Sequence, residues 1–600
     1  MFKTKRFRER EAQLKKALNE KRMESLWQKY VRDSLRKQPI SDLHDHYDFH
    51  IHRKNRFKAI VTMVLNGNYQ PTRPLRIRSE KSHGMSRHLV FLKPEDAIVL
   101  ESIADFLVPI IKKAQPCDNS YFSRNHDQPK GPEDVDDSFG YPWWILWPQF
   151  QKRILQFAEH RKFTVVTDVA TYYDTIDFVR LRNYVSSLGE FSEVFLDFLF
   201  FLFERFVWRP DYLPFPGRGL PQINLDAPRL VAHAYLFEID RFLNEVTGGD
   251  FVRWLDDIDF GCNSFKDAQT ILRDMDELLL SRGLHLNSSK TKILSKKEAF
   301  KYFQLRENRY LTVLQRRIKR RLKNSENVYW ETKKLKARYY KFINSEKLGQ
   351  WQKVVKRYFT LATLCRSSFL VKYSSDYLKN YSSLRSSIFN YFLSLGWSLD
   401  KEQILFEYIK IANDDESFMG AIDVLISWVP QNTIHYKNKM VNLAKSFDSN
   451  EPVRFYAALK ILAKFGSPND IEKFISTFIP VWKNNDWLAR QVASIWPLLK
   501  KRGIKDTIKN IINSFGLSYA RRVLDNYELI SSNKRIVKRK VQPYIFALMK
   551  YNIFPIHKFL ITMSVLTGTI PAGQKNYIRE KLLALIEDPI YRYRIKKIQL

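Results

Sequence analysis

The sequence predicts an α+β domain followed by an all-α domain, on three observations. Between about 71 and 305, short β-branched and aromatic runs such as FTVVTDV and FVRWLDDIDF read as strands set between helical stretches such as AIVLESIADFLVPIIKK. After about 305 the strand signals fade and helical periodicity takes over. At 600 residues the chain is too long for one ordinary core, so two or three domains are expected.

Three segments follow: 1–70, 71–305 and 306–600. The first opens with charge alternating with sparse apolar positions, Leu14, Leu18, Met23 and Trp27. It reads as a basic helical arm, either packed by those residues or contacting nucleic acid. Asp118 to Tyr141 is rich in Pro, Gly and Asp and reads as a loop. In the last segment VRFYAALKILAKFG and LARQVASIWPLLKKRG share an Arg, small residues, an apolar stripe and a glycine stop. Their arginines, Arg454 and Arg490, lie 36 positions apart, within the range of helical-hairpin repeats. A HEAT-like solenoid and an irregular helical bundle both satisfy this pattern.

One hundred Lys and Arg face 64 Asp and Glu, a formal charge of +36 that suits a polyanionic partner. The three cysteines, Cys117, Cys262 and Cys365, form no CxxC pair, so neither a disulfide framework nor a zinc knuckle is expected. The most apolar run, Phe198 to Phe203, lies between Asp197 and Glu204 and is too short to span a bilayer. The start, MFKTKRFRER, leads into more charge and not into an apolar signal core. A soluble cytoplasmic protein without a membrane partner is expected. No GxxxxGK[ST] phosphate loop occurs, which disfavours an ATP-driven motor.

Two stretches carry candidate chemistry. In FVRWLDDIDF, apolar residues flank Asp256 and Asp257, as suits a tight hairpin with the aspartates at its tip. Turns favour Asp anyway, so this feature needs a partner. TVVTDVATYYDTID supplies one: a β-branched run that delivers Asp168 at a strand end. A buried strand ending in a carboxylate is costly unless a cation or donor meets it. Asp168, Asp256 and Asp257 together are the three carboxylates a two-metal phosphoryl-transfer site needs.

With these residues in place, the chain resembles the reverse transcriptases, especially the group II intron, retron and abortive-infection branches. DVATYYDTID is similar to their palm motif A, which implies Asp168 as a metal ligand and Tyr173 as the ring that excludes a 2′ hydroxyl. GLPQINLDAPRLVAHAYL resembles motif B, with Gln222 near the incoming nucleotide. WLDD resembles the YxDD box, with Asp256 and Asp257 as metal ligands. GLHLNSSKTK resembles motif D, with Lys290 as proton donor to pyrophosphate. EKSHGMSRHLVFLKPEDAIVLESI is similar to the fingers segment, with Lys81 and Arg87 on the triphosphate. Three positions depart from the pattern: Trp254 replaces the Tyr of YxDD, Ile223 a glycine, and Ala227 the Ser of Ser-Pro. Degenerate motif B, basic charge and a helical C-terminal half resemble the AbiA/AbiK-like abortive-infection reverse transcriptases.

That resemblance implies fingers and palm over 71–305, HEAT-like repeats over 306–600 in place of a thumb, and Mg²⁺ or Mn²⁺ as cofactor. It implies deoxynucleotides as substrates, a DNA product, an RNA template or template-free protein-primed synthesis, and a place in anti-phage defence. It leaves open a homo-oligomer and a phage or host protein partner. The competing expectation is an inactive palm whose repeats capture such a partner; retention of all three carboxylates favours activity, since clustered like charges repel without metal. His44, His46, His50 and His52 form the one histidine cluster, and alternation would place them on one face of a strand near Asp45 and Asp48, a conceivable zinc site. Tyr47, among polar neighbours, reads as exposed and is a conceivable priming hydroxyl. The runs Arg316 to Lys323 and Lys534 to Lys540, with Tyr339 and Tyr340, are candidates for holding product strand.

Overall fold

The computed structural model describes residues 4–124, 137–209, 213–215, 217–430, 432–547 and 553–599. Strands β1 (Leu75–Ser82) and β2 (Met85–Phe91) form an antiparallel hairpin. Its turn residues, His83 and Gly84, both lie at positive φ, the geometry whose twist matches that of a hairpin. β3 (Ser120–Tyr121), β4 (Phe163–Asp168), β5 (Phe251–Trp254), β6 (Asp257–Cys262) and β7 (Lys292–Ser295) form one sheet in the order β3-β5-β6-β4-β7. Only β3 and β5 run parallel. β4 forms as the β-branched run predicts, and Thr164 to Asp168 are all buried.

Helices Pro94–Ala114, Phe178–Ser187, Glu193–Phe206 and Asp226–Tyr235 share one core with the sheet residues Val165, Phe251, Ile258 and Phe260. Leu14, Leu18, Met23 and Trp27 are buried in that same core. The helices that carry them are therefore packed on that core through their sparse apolar positions.

From Lys296 onward the described residues form helices and no strand, so the fold is α+β with helix predominating. In the C-terminal half, helices pack in a row by alternate members. Trp351–Leu364 contacts Arg385–Leu395, which contacts Asp415–Ser427, then Pro452–Phe465, Asp486–Ser494, Ser518–Ser532 and Ile556–Leu566. No described helix is long and apolar enough to cross a membrane.

The histidine cluster corrects the sequence reading. Residues 47–65 form a helix, not a strand, and the stretch before it is a buried plug in the C-terminal helices. His44 Nε2 pairs with Asn526 Oδ1 at 3.0 Å, His46 Nδ1 with the Tyr519 hydroxyl at 3.1 Å, and His50 Nδ1 accepts from the Trp27 indole at 3.1 Å. Three of the four rings are spent on different partners, and among the described residues the histidines do not gather as a metal site. Tyr47 is fully buried and stacks on Tyr544 at 4.5 Å, which removes it as an accessible priming hydroxyl. Tyr339 is likewise buried, its hydroxyl 2.7 Å from that of Tyr377, and cannot stack on a base.

Arg490 locks the plug in place. Its guanidinium, fully buried, meets Asp42 at 2.9 and 3.0 Å and Asp48 at 2.7 Å, and lies 4.1 Å from the Tyr519 ring centre. Burial alone would raise both carboxyls; the Arg490 charge more than reverses this and holds them well below the ordinary carboxylate range. Arg454, its counterpart in the sequence repeat, donates to the Ala412 carbonyl at 3.1 Å, covers the Phe418 ring and pairs at 3.6 Å with Glu451, which is half-exposed. Arg490→Ala would strand two buried carboxylates and should cost about 3–5 kcal/mol. Arg454→Ala should cost about 1 kcal/mol. Thermal melts of the two variants check this, and equal shifts would refute it.

Candidate active site

β5 and β6 are joined by the two-residue turn Leu255-Asp256, which places Trp254 opposite Asp257. Leu255 carries φ +55°, a region that costs a branched residue roughly 1–2 kcal/mol. Arg253 holds this strained turn. Its guanidinium donates to the Leu255 carbonyl at 2.9 Å, is clamped on Asp240 at 2.5 and 2.6 Å, and reaches the His233 carbonyl at 3.1 Å. Both Arg253 and Asp240 are fully buried. Nothing in their sequence neighbourhood marks Arg253 as more than a strand residue.

Trp254 has a local reason. Its indole stacks on Tyr121 at 6.0 Å and meets the edges of Trp147 and Phe150 at 5.6 and 5.7 Å. The aromatic nest fits a residue larger than the tyrosine of the reverse-transcriptase pattern.

The register of β4 on β6 sets Asp168 directly opposite Asp257, so their side chains share one face of the sheet. Cβ atoms of such a pair lie about 5 Å apart, where like charges repel. Asp259, two residues along β6, points to the same face and was not singled out by the sequence pattern. Asp256 is pushed up to about 6, first by burial and then by Asp257 and Asp168. Asp257, although its side chain reaches solvent, is also raised by desolvation and by Asp168. Asp259, 4% exposed, is raised well above the ordinary range by burial and by Asp257.

Lys290 donates to Asp168 Oδ2, and this bond and charge hold its ammonium above its usual value against partial desolvation. Asp168 Oδ1 is buried without a hydrogen-bond partner. The described residues contain no three His, Cys, Asp or Glu side chains already drawn together as a metal cage. The oxygen-only donor set, the orphaned oxygen and the raised carboxyls nonetheless fit hard divalent cations, since a cation would relieve all three.

A cleft of about 500 Å³ opens on this face. Asp168, Asp257, Asp259 and Lys290 line its sheet side, while Gln350, Lys353 and Lys356 line it from the C-terminal half.

The other predicted residues fall around this centre. Tyr173 is half-buried in the short helix Tyr172–Thr175 that follows β4; its carbonyl accepts from Leu220 N at 2.7 Å, and its hydroxyl is raised by burial, with Asp256 contributing. Gln222 donates to Asp174 at 3.1 Å and its carbonyl accepts from Val90 N at 3.2 Å, so it ties the segment after β4 to β2. Ile223 buries its side chain, and no positive φ demands a glycine there. Lys81 and Arg87 are exposed on the β1–β2 hairpin and do not line the cleft. That hairpin is fastened to the C-terminal half. Arg78 N donates to Asp415 at 2.7 Å, Arg385 bridges Glu80 at 2.6 Å and Asp414 at 2.9 Å, and Ser382 Oγ donates to the Lys81 carbonyl at 2.6 Å.

No family model matches the chain, and no curated protein matches it.

Asp256 titrates near its ordinary 3.8 when unfolded and at about 6 when folded, so the folded chain binds that proton more tightly. Relative to a neutral residue Asp256 therefore costs nothing below about pH 4, the cost builds between pH 4 and 6, and it is fully present above that. In EDTA, Asp256→Asn should melt higher than wild type at pH 7.5, by up to about 3 kcal/mol, with the gap closing towards pH 4. A lower melting point for Asp256→Asn at pH 7.5 would rule out the crowded-carboxylate account.

Proposed function

We propose that the chain is a nucleotidyltransferase of reverse-transcriptase type that joins deoxynucleotides to a 3′ hydroxyl. In this reading 71–305 holds fingers and palm, and the helices of 306–600 are HEAT-like repeats in the place of a thumb. One observation carries the reading: β4 and the β5–β6 turn bring Asp168, Asp256 and Asp257 together at one end of the sheet. The strained turn, the clamp on it and the raised carboxyls suit a site built to receive cations.

Asp168, Asp256 and Asp257 would hold two Mg²⁺ or Mn²⁺ ions. When bound, these would make the 3′ hydroxyl more acidic and stabilise charge on the phosphoryl oxygens. Asp168 would exchange its Lys290 partner for cation, and the freed ammonium would hand a proton to departing pyrophosphate. The Tyr173 ring would occupy the space of a 2′ hydroxyl. Gln222, fixed between Asp174 and β2, would face the base, and Lys81 and Arg87 would meet the triphosphate from the hairpin. The high positive charge suits DNA product and RNA template alike. A role in anti-phage defence rests on the resemblance to abortive-infection enzymes alone.

Primer extension with deoxynucleotides and Mg²⁺ or Mn²⁺, with and without an RNA template, tests the reading and separates templated from template-free synthesis. Asp168→Asn or Asp256→Asn should lower incorporation roughly 10³-fold or more, because each removes ligand charge from the transition state. Near-wild-type incorporation by either variant would sink the site assignment. Tyr173→Ala should admit ribonucleotides while keeping DNA synthesis. A wild type that uses both sugars equally would refute the steric role.

A further inference from the structure

The cleft at the carboxylates has a second wall, and that wall is basic. Helix Trp351–Leu364 presents Lys353 and Lys356, one turn apart, into the same cleft as Asp168, Asp257 and Asp259. Lys353 is exposed and its charge acts on Asp257 and Asp259; its ammonium lies 4.9 Å from the Trp147 ring centre. Lys356 is half-buried, and burial and Lys353 lower its ammonium. Among the described residues neither lysine has a carboxylate within ion-pair distance, although most of the buried cations of the C-terminal half do. Lys292, on β7, lines the cleft as well, beside Lys290.

The carboxylates across the cleft are not close enough to pair with either lysine, and Lys353 opposes the charge of Lys356, so this wall can take up a further anion. The anion these would meet lies between them and the carboxylates, on the side that faces the C-terminal half. Lys81 and Arg87 stand outside the cleft, on the hairpin whose Lys81 carbonyl is held by Ser382. The triphosphate therefore has its own candidate partners, and the cleft wall is left for a different phosphate.

We propose that Lys353 and Lys356 bind the backbone phosphates at the 3′ end of the strand being extended, so that the C-terminal half completes the active site. This rests on the polymerase reading of the cleft. The two lysines touch the strand and position its terminal hydroxyl over the carboxylates. Tyr302 lines the same space and Trp147 borders it, both half-buried, and they offer aromatic surface for the last bases.

The test uses the full chain and a 5′-fluorescein-labelled dT20 oligonucleotide, read by anisotropy in EDTA across a salt series. Lys353→Gln/Lys356→Gln should weaken binding roughly tenfold and lower the log–log salt slope by about 1.4, or about 0.7 per lost phosphate contact. Lys353→Gln alone, at an exposed position, should give about half the slope change with an unaltered melting temperature, which guards against a folding artefact in the double variant. Lys353→Arg should restore most of the binding. In steady-state extension the double variant should raise KM for primer and leave KM for deoxynucleotide within about twofold.

Unchanged oligonucleotide affinity with a lowered melting temperature would mean the lysines only neutralise the aspartates, and would overturn the proposal. Raised KM for deoxynucleotide with unchanged oligonucleotide affinity would assign them to the triphosphate and overturn it too. Binding is read without catalysis. A chain that holds dT20 through these lysines yet extends nothing would therefore defeat the polymerase reading alone, and a chain that polymerises with unaltered binding would defeat this inference alone.

Discussion

The geometry of the carboxylate site hangs on the buried pair of Arg253 and Asp240. A leucine at positive φ does not hold a hairpin turn by itself, and two adjacent aspartates oppose being held there. Arg253 resolves this from beneath: one edge of its guanidinium is fixed by the Asp240 carboxylate, and the other donates to the carbonyl of the strained residue. A planar fork with five donors can satisfy both at once, whereas a lysine could not. Because both charges are fully buried, the pair is costly to break. The turn is therefore specified by an interaction beneath it and not by its own residues.

A similar logic joins the two halves of the chain. Arg490 reaches from the C-terminal helices to Asp42 and Asp48, and Arg385 reaches from them to Glu80 on the hairpin. Both arginines are buried, and each satisfies two carboxylates: Arg490 those of one segment, Asp42 and Asp48, and Arg385 those of Glu80 and Asp414. Exposed ion pairs would contribute little and be screened by salt, but these are shielded from solvent. They give the C-terminal half a fixed relation to the hairpin bearing Lys81 and Arg87. The cleft, with one wall from the sheet and one from helix Trp351–Leu364, is a consequence of that relation.

How much of this could be read from the sequence depends on whether the signal is local. The strand ending at Asp168, the hairpin at Asp256 and Asp257, and the switch to helix after about 305 were legible, because β-branched runs and helical periodicity act over a few residues. The proximity of Asp168 to Asp257 was inferred only from their suitability as a set; the register itself is tertiary. The histidine stretch was misread because alternation of polar residues looks like a strand face, whereas the partners of His44 and His46, Asn526 and Tyr519, come from far along the chain. Tyr339 was misread for the same reason, since its partner Tyr377 lies on another helix. Arg253, Asp259, Lys353 and Lys356 were missed because a charged residue within an apolar or basic run carries no local mark of the group it faces.

The basic runs show where composition stops being informative. Of the cluster in helix Leu305–Lys323, Arg316, Arg317, Lys319 and Arg320 are exposed, but Arg321 is committed to Glu331 at 3.1 Å. In the run at Lys534 to Lys540, Lys538 and Arg539 face solvent while Lys540 donates to the Ile51 carbonyl at 3.0 Å. A net charge of +36 thus overstates the cations free to meet a polyanion, and the count that matters is of those left without an acidic partner. Lys353 and Lys356 belong to that smaller set, and they differ from the exposed members in facing carboxylates across a cleft. A cation on an open helix face attracts any strand to any part of the surface. A cation opposite three aspartates can hold only an anion that tolerates, or brings cations to, those aspartates.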